Sequence, residues 1–388
     1  MNALQTTVET PKKSRAARPS VCIISHNAYG AMTGGRSGHI GGVERQTSML
    51  AKWLVEQGYE VSMLTWDEGG PAEERIDGVR IIKICRKGAG LPFVRFFHPK
   101  WTGLISAMNR ANADVYYHNC CEAETGEVAM WCKSHGKKFV FSTACDTDCQ
   151  RDLTVLETPL ERMLYRRGIK LARQIIVQTQ TQNRLLRENF RLDSVVIPMP
   201  CPLLAQMEIR PAPGSGARIL WIARVCEQKR PDRLLDLAKA CPELTFDMVG
   251  PLYSDDYAQR VAARAKTMPN VQVHGPVPRE KLDSLYKNAA CFCSTSDFEG
   301  FPNTFLEAWG YGLPVVSTFD PDSIIQKHQL GMVAEDVPKL ASALRSLLQS
   351  PARFAEIGRN ARQYAFDHHR PEAVMPQFEE VFQQVCEK

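Results

Sequence analysis

Short apolar runs alternate with longer stretches whose apolar residues recur every three or four positions, from residue 21 to the end of the chain. The short runs read as buried strands: Val21 to Ser25, Tyr59 to Thr65, Gly78 to Cys85, Val115 to His118, Phe139 to Ser142, Gln174 to Gln178 and Val195 to Met199. Between them the pattern predicts helices over Val43 to Gln57, Ile105 to Arg110, Val128 to Ser134, Pro159 to Ala172 and Thr179 to Glu188. In the first of these, Met49, Leu50, Trp53 and Leu54 form the buried face and Gly58 the stop. Pro198, Pro200, Pro202, Pro211, Pro213, Gly214 and Gly216 then interrupt the pattern. It resumes with strands Arg218 to Ile222, Leu244 to Val249, Val271 to His274, Ala289 to Ser294 and Leu313 to Val316, and a small one at Met332 and Val333. Helices are expected from Pro231 or Asp232, over Asp256 to Thr267 and Leu282 to Ala289, and from Asn303 or Thr304. Three more follow over Leu340 to Leu348, Arg353 to Tyr364 and Glu372 to Glu387.

This alternation predicts an α/β fold of two doubly wound, Rossmann-like domains with a cleft between their strand ends. The expected divisions are a disordered tail over 1–19, a first domain over 20–200, a linker over 201–217, a second domain over 218–365 and a C-terminal helix over 366–388.

Composition narrows the class. The 388 residues are 44% hydrophobic and 23% charged, an ordinary globular mix with room for two cores. A net charge of +5 is too small for this length to argue for nucleic acid. The 13 cysteines are an odd number scattered through expected strands and helices, which suits reduced thiols in the cytoplasm. No apolar run is long enough to span a bilayer. The tail carries Lys12, Lys13, Arg15 and Arg18 without the apolar segment of a signal peptide.

Candidate chemistry gathers where strands meet helix starts. Glu299 lies on a Glu-Gly-Phe-Pro-Asn loop after one strand, and Glu307 lies inside the helix that follows. The start of that helix offers unpaired N–H groups to an anion or to sugar hydroxyls. Arg224 and Lys229 occupy a second strand-to-helix loop, where a guanidinium fork and a point charge suit a diphosphate. A third such loop is rich in glycine, from Gly30 to Gly42, and the N–H groups of Gly41 and Gly42 could face a phosphate. It lacks the compact dinucleotide fingerprint, and no Walker motif occurs. Between Lys87 and Trp101, Leu91, Phe93, Phe96 and Phe97 interleave with Arg95, His98 and Lys100. This stretch reads either as a membrane-facing or acceptor-facing surface or as one buried face of an irregular helix. Seven histidines and cysteines fall between His118 and Cys149 (with Cys120, Cys121, Cys132, His135 and Cys145). They lack the paired spacing of a structural zinc site and read as buried thiols at strand ends.

The stretch from Cys291 to Thr318 closely resembles the donor-binding signature of the retaining glycosyltransferases of family 4, which have the GT-B architecture. The resemblance extends over nearly the whole chain from residue 20 and is tightest over 218–388. It implies an acceptor-binding first domain, a nucleotide-sugar-binding second domain, and a last helix that crosses back to the first. In that family an acidic residue, seven residues and a second Glu hold the nucleotide-sugar, which here implicates Glu299 and Glu307. Gly300, Phe301, Pro302, Asn303 and Thr304 are then substrate-binding. Arg224 and Lys229 match the family's diphosphate-binding pair, Val277 its nucleobase-facing loop, and Gly41 and Gly42 its loop against the diphosphate and acceptor. Family members commonly carry a His at the end of the strand over Phe139 to Ser142. This chain has Ala144, Cys145 and Asp146 there, so Asp146 is the candidate for an acceptor contact.

The resemblance implies a retaining, metal-independent sugar transfer that needs no cofactor beyond the nucleotide-diphosphate sugar donor. The expected acceptor is a glycan, a lipid-linked molecule or a small molecule, met in the cytoplasm or at the inner face of a membrane. Catalytic roles fall to Glu299, Arg224, Lys229 and Asp146. An Asp146-x-Asp148 pair exists, but in the acceptor-side domain. The alternatives are a nucleotide-sugar epimerase, a phosphorylase of the same architecture, or a catalytically silent scaffold.

Overall fold

The computed structural model describes residues 18–34, 41–91, 94, 96–202, 216–252 and 255–387. Residues 1–17 of the expected tail over 1–19, Gly35 and Gly38, Phe93 and Arg95, and linker residues Pro211, Pro213 and Gly214 lie outside these residues.

Two sheets, each flanked by helices, organise the chain. The first contains β1 (Val21–Ile24), β2 (Val61–Thr65), β3 (Glu73–Ile76), β4 (Val79–Lys83), β5 (Val115–Asn119), β6 (Lys138–Ser142), β7 (Gln174–Val177) and β8 (Val195–Val196). Their order is β3-β4-β2-β1-β5-β6-β7-β8. The second contains β9 (Arg218–Ile222), β10 (Thr245–Val249), β11 (Val271–Gly275), β12 (Cys291–Ser294), β13 (Val315–Ser317) and β14 (Gly331–Val333), in the order β11-β10-β9-β12-β13-β14. Every pairing is parallel except β3 with β4. Parallel sheets are covered on both faces. Accordingly β1, β2, β5, β12 and β13 are buried at every position.

Strand order reverses at β1, which lies between β2 and β5, and at β9, which lies between β10 and β12. In such sheets ligands bind outside the carboxyl ends of the strands at the reversal. The loops after β1, β5, β9 and β12 are therefore the structurally favoured places for chemistry.

Phe246, Trp221, Leu234, Leu237 and Leu344 fill one core of the second sheet, and Phe305, Trp309 and Tyr286 fill the other. The C-terminal helix Pro371–Glu387 packs on the first sheet. Phe378 and Phe382 meet the ring of Tyr117 edge-on, with centroids 6.2 and 5.8 Å apart. Burying each ring contributes about 1.5–3 kcal/mol. The Trp53 indole donates to Glu379 at 2.8 Å, and Gln383 donates to Tyr59 at 2.8 Å. Among the described residues no helix is long and apolar enough to cross a membrane.

Two local expectations change. The run Gly78 to Cys85 is only half of a hairpin. Glu73–Ile76 pairs antiparallel with β4 across Asp77 and Gly78, both at positive φ. This edge strand is mostly charged and half-exposed, so it carries no apolar signature. The aromatic–basic stretch is not a buried helix face: Phe96–Trp101 forms a single wide turn with no buried residue, broken at His98 before Pro99. Phe97 is 52% exposed there and Leu91 75%.

Candidate active site

At the second reversal, the loops after β9 and β12 are hydrogen-bonded to each other. Asp297 N–H donates to the Gln228 carbonyl at 3.0 Å, and the Thr295 hydroxyl donates to the Lys229 carbonyl at 2.9 Å. This brings the Lys229 ammonium within 2.5 Å of both Glu299 carboxylate oxygens, and the Ser296 hydroxyl donates to one of them at 2.7 Å. Lys229 and Glu299 are 16% and 13% exposed, so the pair is mostly withdrawn from water. Arg224 projects from the same β9 loop and is exposed, with no hydrogen bond or ion pair to a described residue. Gly250 follows β10 at φ +142, where a Cβ would lie 1.8 Å from the Ala223 carbonyl. Only glycine lets the neighbouring loop pass so close to Ala223.

Beyond Pro302 the helix Asn303–Gly310 starts against the first half of the molecule. A Cβ on Gly42 would sit 2.4 Å from the side-chain Nδ2 of Asn303, so the glycine loop touches the first residue of the helix through its side chain. Phe301 N–H donates to the Gln178 side chain at 3.3 Å, and Gly300 lies against the Ala144 carbonyl. Thr304 is half-buried in the first turn. Glu307 is buried, 7% exposed, and fully engaged. One oxygen accepts from Arg45 at 2.7 Å and Arg279 at 2.6 Å, the other from the Tyr286 hydroxyl at 2.6 Å. Val277 precedes Arg279 on the β11 loop and packs, half-buried, against the core beneath this helix.

On the first half, Gly41 opens the helix Gly42–Glu56, and its N–H is held by the Glu44 carboxylate at 3.0 Å. Asp146 accepts from Gln182 at 3.1 Å. Burial first, then the Asp322 and Glu299 carboxylates, push Asp146 up to about 6, against the Gln182 hydrogen bond. Asp148 is buried and accepts from the N–H groups of Ala144 at 2.7 Å and Cys145 at 3.2 Å. It fixes the loop that carries Asp146.

The geometry thus joins Glu299, Gly300, Phe301, Asn303 and Glu307 of the second half to Gly42, Arg45, Ala144, Asp146 and Gln178 of the first. Sequence reading left Arg45 without a role and missed Arg279, Tyr286, Gln178, Gln182 and Asp322. The last caps the helix Gln180–Phe190 from the other half, accepting from the N–H groups of Gln180 at 2.6 Å and Thr181 at 2.9 Å. These are contacts between distant segments, which periodicity cannot report.

Residues 40–202 match the family described as Glycosyltransferase Family 4, and residues 216–350 match Glycosyl transferases group 1. The chain belongs to glycosyltransferase family 4, with the GT-B fold. As a family member it is related to enzymes that use nucleotide-sugars. It is 29% identical over 150 residues to the UDP-N-acetylglucosamine–peptide N-acetylglucosaminyltransferase GtfA subunit of Streptococcus agalactiae, covering 36% of this chain and 29% of that protein. It is 27% identical over 180 residues to the GDP-mannose-dependent alpha-(1-6)-phosphatidylinositol monomannoside mannosyltransferase of Mycolicibacterium smegmatis, covering 42% of this chain and 47% of that one. The chain thus aligns with less than half the length of either relative. Among solved structures, sucrose-phosphate synthase from Thermosynechococcus elongatus superposes with a TM-score of 0.75 at 16% identity, over 95% of this chain and 99% of that one. Anabaena HepE in complex with UDP-glucose superposes at 0.72 and 15%, over 95% and 100%. At these identities the superpositions show the fold alone.

Proposed function

We propose that this family member transfers a sugar, with retention, from a nucleotide-diphosphate sugar to a glycan, lipid-linked or small-molecule acceptor in the cytoplasm. The observation that carries the reading is the pairing of Lys229 with Glu299 at the β9–β12 reversal, on the same loop as Arg224, which is exposed and has no ion-pair partner among the described residues. A nucleotide diphosphate needs cations where it leaves and a carboxylate where positive charge develops on the sugar. Here both are supplied by two loops hydrogen-bonded to each other. Arg224, Lys229 and the N–H groups of Asn303 and Thr304 hold the phosphates. Glu299 faces the reacting carbon, and Glu307 takes the ribose hydroxyls in exchange for part of its present arginine contacts. The departing phosphate receives the acceptor proton on the face where the new bond forms. Residues 218–365 bind the donor and 20–200 the acceptor, Asp146 contacting it at the junction.

Protein cations fill the role an ion would play, so diphosphate binding and transfer survive chelation in this scheme. Calorimetric titration of UDP, GDP and ADP, with and without EDTA, tests this first, and NMR of the product's anomeric proton tests retention. No affinity for any of the three favours a silent scaffold. Release of free nucleotide diphosphate with an isomerised sugar and no acceptor favours an epimerase. Affinity that disappears with EDTA and returns with Mg²⁺ refutes the metal-free scheme.

A further inference from the structure

At the first reversal, β1 and β5 are neighbours in register, with Ile24 opposite His118. His26 lies two residues beyond β1, and Glu122 lies on the loop after β5. Nδ1 of His26 is 3.3 Å from one Glu122 oxygen, and Nε2 of His118 is 3.5 Å from the same oxygen. All three atoms lie within 4.8 Å of one another. The imidazoles are 5% and 1% exposed. The Glu122 side chain is 35% exposed, which leaves one side of the cluster open.

We propose that His26, His118 and Glu122 bind one divalent transition-metal ion of the Zn²⁺ type. The reasons are spacing, donor chemistry and support. A charge-assisted N–H···O⁻ hydrogen bond closes to about 2.7–2.9 Å. The edge of a tetrahedron with metal–ligand bonds of about 2.0–2.1 Å is about 3.3–3.4 Å, close to both separations here. Two imidazoles and one carboxylate suit zinc over magnesium, and three protein ligands are the number that leaves a fourth position open. The other nitrogen of His118 faces the Thr125 hydroxyl at 3.2 Å, the outer partner that fixes a ligating ring. The His26 ring stacks on Trp66 with centroids 4.5 Å apart, which fixes the second imidazole. The fourth position would be taken by water or an oxygen ligand entering on the Glu122 side. This site lies on the other sheet from the β9–β12 pair and does not rest on the donor reading.

The full chain, reduced and stripped with a chelator, is titrated with Co²⁺ and Zn²⁺. The inference expects one ion per chain, with visible d–d bands of a nitrogen–oxygen site and no thiolate-to-cobalt charge transfer. Glu122→Gln and His118→Ala should weaken binding by about 100-fold or more, and Thr125→Val by about 10–100-fold, the usual cost of losing an outer partner. Circular dichroism verifies that each variant folds. Glu122→Gln changes a part-exposed side chain without changing its size, so it still tests the site if His118→Ala does not fold. No stoichiometric ion, thiolate bands, or unchanged affinity in folded Glu122→Gln would each overturn the assignment.

Discussion

Lys229 holds both carboxylate oxygens of Glu299 at 2.5 Å, so a candidate phosphate cation and a candidate catalytic carboxylate neutralise each other across two loops. Arg224, on the same loop as Lys229, has no such partner among the described residues. The two cations therefore differ in what their loss does. Arg224→Ala removes an exposed side chain and leaves no described residue unpaired. It should weaken nucleotide-diphosphate binding by the roughly 1.5–3 kcal/mol of a charge-assisted contact, with the melting temperature unchanged. Lys229→Ala also strands a mostly buried carboxylate, so it should weaken binding by a similar amount and lower the melting temperature as well. Titration calorimetry and thermal melts on the two variants check both statements. Unchanged affinity in both would remove them from the site.

Glu299→Gln should act chiefly on the maximal rate. The substitution keeps size and hydrogen-bonding reach but removes the charge that, in the proposed scheme, faces the reacting carbon, an interaction made mainly in the transition state. A ~100-fold fall in kcat, about 2.7 kcal/mol, is expected, with a small change in donor KM. Steady-state kinetics at saturating acceptor measure it, and a wild-type kcat would end the case for a catalytic Glu299.

Much of this arrangement was legible in the sequence because the relevant segments are local. Most parallel strands are centred on a short, mainly apolar segment, and each candidate loop lies between such a segment and a helix start. That places Arg224, Lys229, Glu299 and Glu307 without any knowledge of contacts. Long-range pairings were not legible. Arg45 and Glu307 are 262 positions apart, and nothing in the spacing of Gly41 to Arg45 announces a partner in the other half. The β3 edge strand escaped because a half-exposed Glu-Glu-Arg-Ile segment lacks apolar alternation. His26 escaped because it follows β1 as a lone residue, and only the fold carries it to His118.

Glu307 makes a separable prediction. Its carboxylate satisfies Arg45, Arg279 and Tyr286 together. Glu307→Gln leaves two guanidinium groups sharing a neutral amide, so the melting temperature should fall. If the carboxylate also takes the ribose hydroxyls, donor KM should rise with kcat little changed, as for a contact made equally in ground and transition states. A lower melting temperature with unchanged KM would confine Glu307 to holding the halves together.

Asp146 sets a pH dependence. The unfolded chain loses this proton near 3.8, whereas the folded protein keeps it to about 6, because burial and the Asp322 and Glu299 carboxylates disfavour the charge. Between these values the native state binds more protons than the unfolded one. The group's contribution is therefore fully present below about 4 and is lost as pH rises through about 6. Asp148 shifts in the same direction, chiefly through burial, and an Asp146 variant removes only the smaller contribution that the Asp146 charge makes to it. Asp146→Asn should accordingly gain stability relative to wild type as pH increases from about 4 to 6, then hold a constant difference. Urea melts at intervals across that window measure this. A difference between the two proteins that does not change with pH would show that Asp146 titrates normally.

Gly300→Ala should separate donor binding from catalysis. Gly300 is not at positive φ, so alanine suffers no backbone strain there and the cost is purely steric. A Cβ would lie 2.6 Å from the Ala144 carbonyl oxygen and 3.1 Å from the Cys145 Cα, both main-chain atoms of the first half. Neither can rotate away, so the Glu299 loop and the Ala144–Asp146 loop must part and stretch the Phe301 N–H bond to Gln178. Gly42→Ala makes the useful contrast, since its closest neighbour is the end of the flexible Asn303 side chain, which can move. Separating two halves that must meet around a reacting pair costs up to about 100-fold in rate for an error of about 1 Å. The expected result is a kcat for Gly300→Ala reduced by about 10–100-fold, and a smaller loss for Gly42→Ala. Diphosphate affinity should be unchanged in Gly300→Ala, because Arg224 and Lys229 lie wholly on the second half. Kinetics and calorimetry on the same preparations test this, with small-angle scattering as the measure of separation between the halves. A Gly300→Ala enzyme with wild-type kcat would mean that the contact with Ala144 is not part of the reacting arrangement.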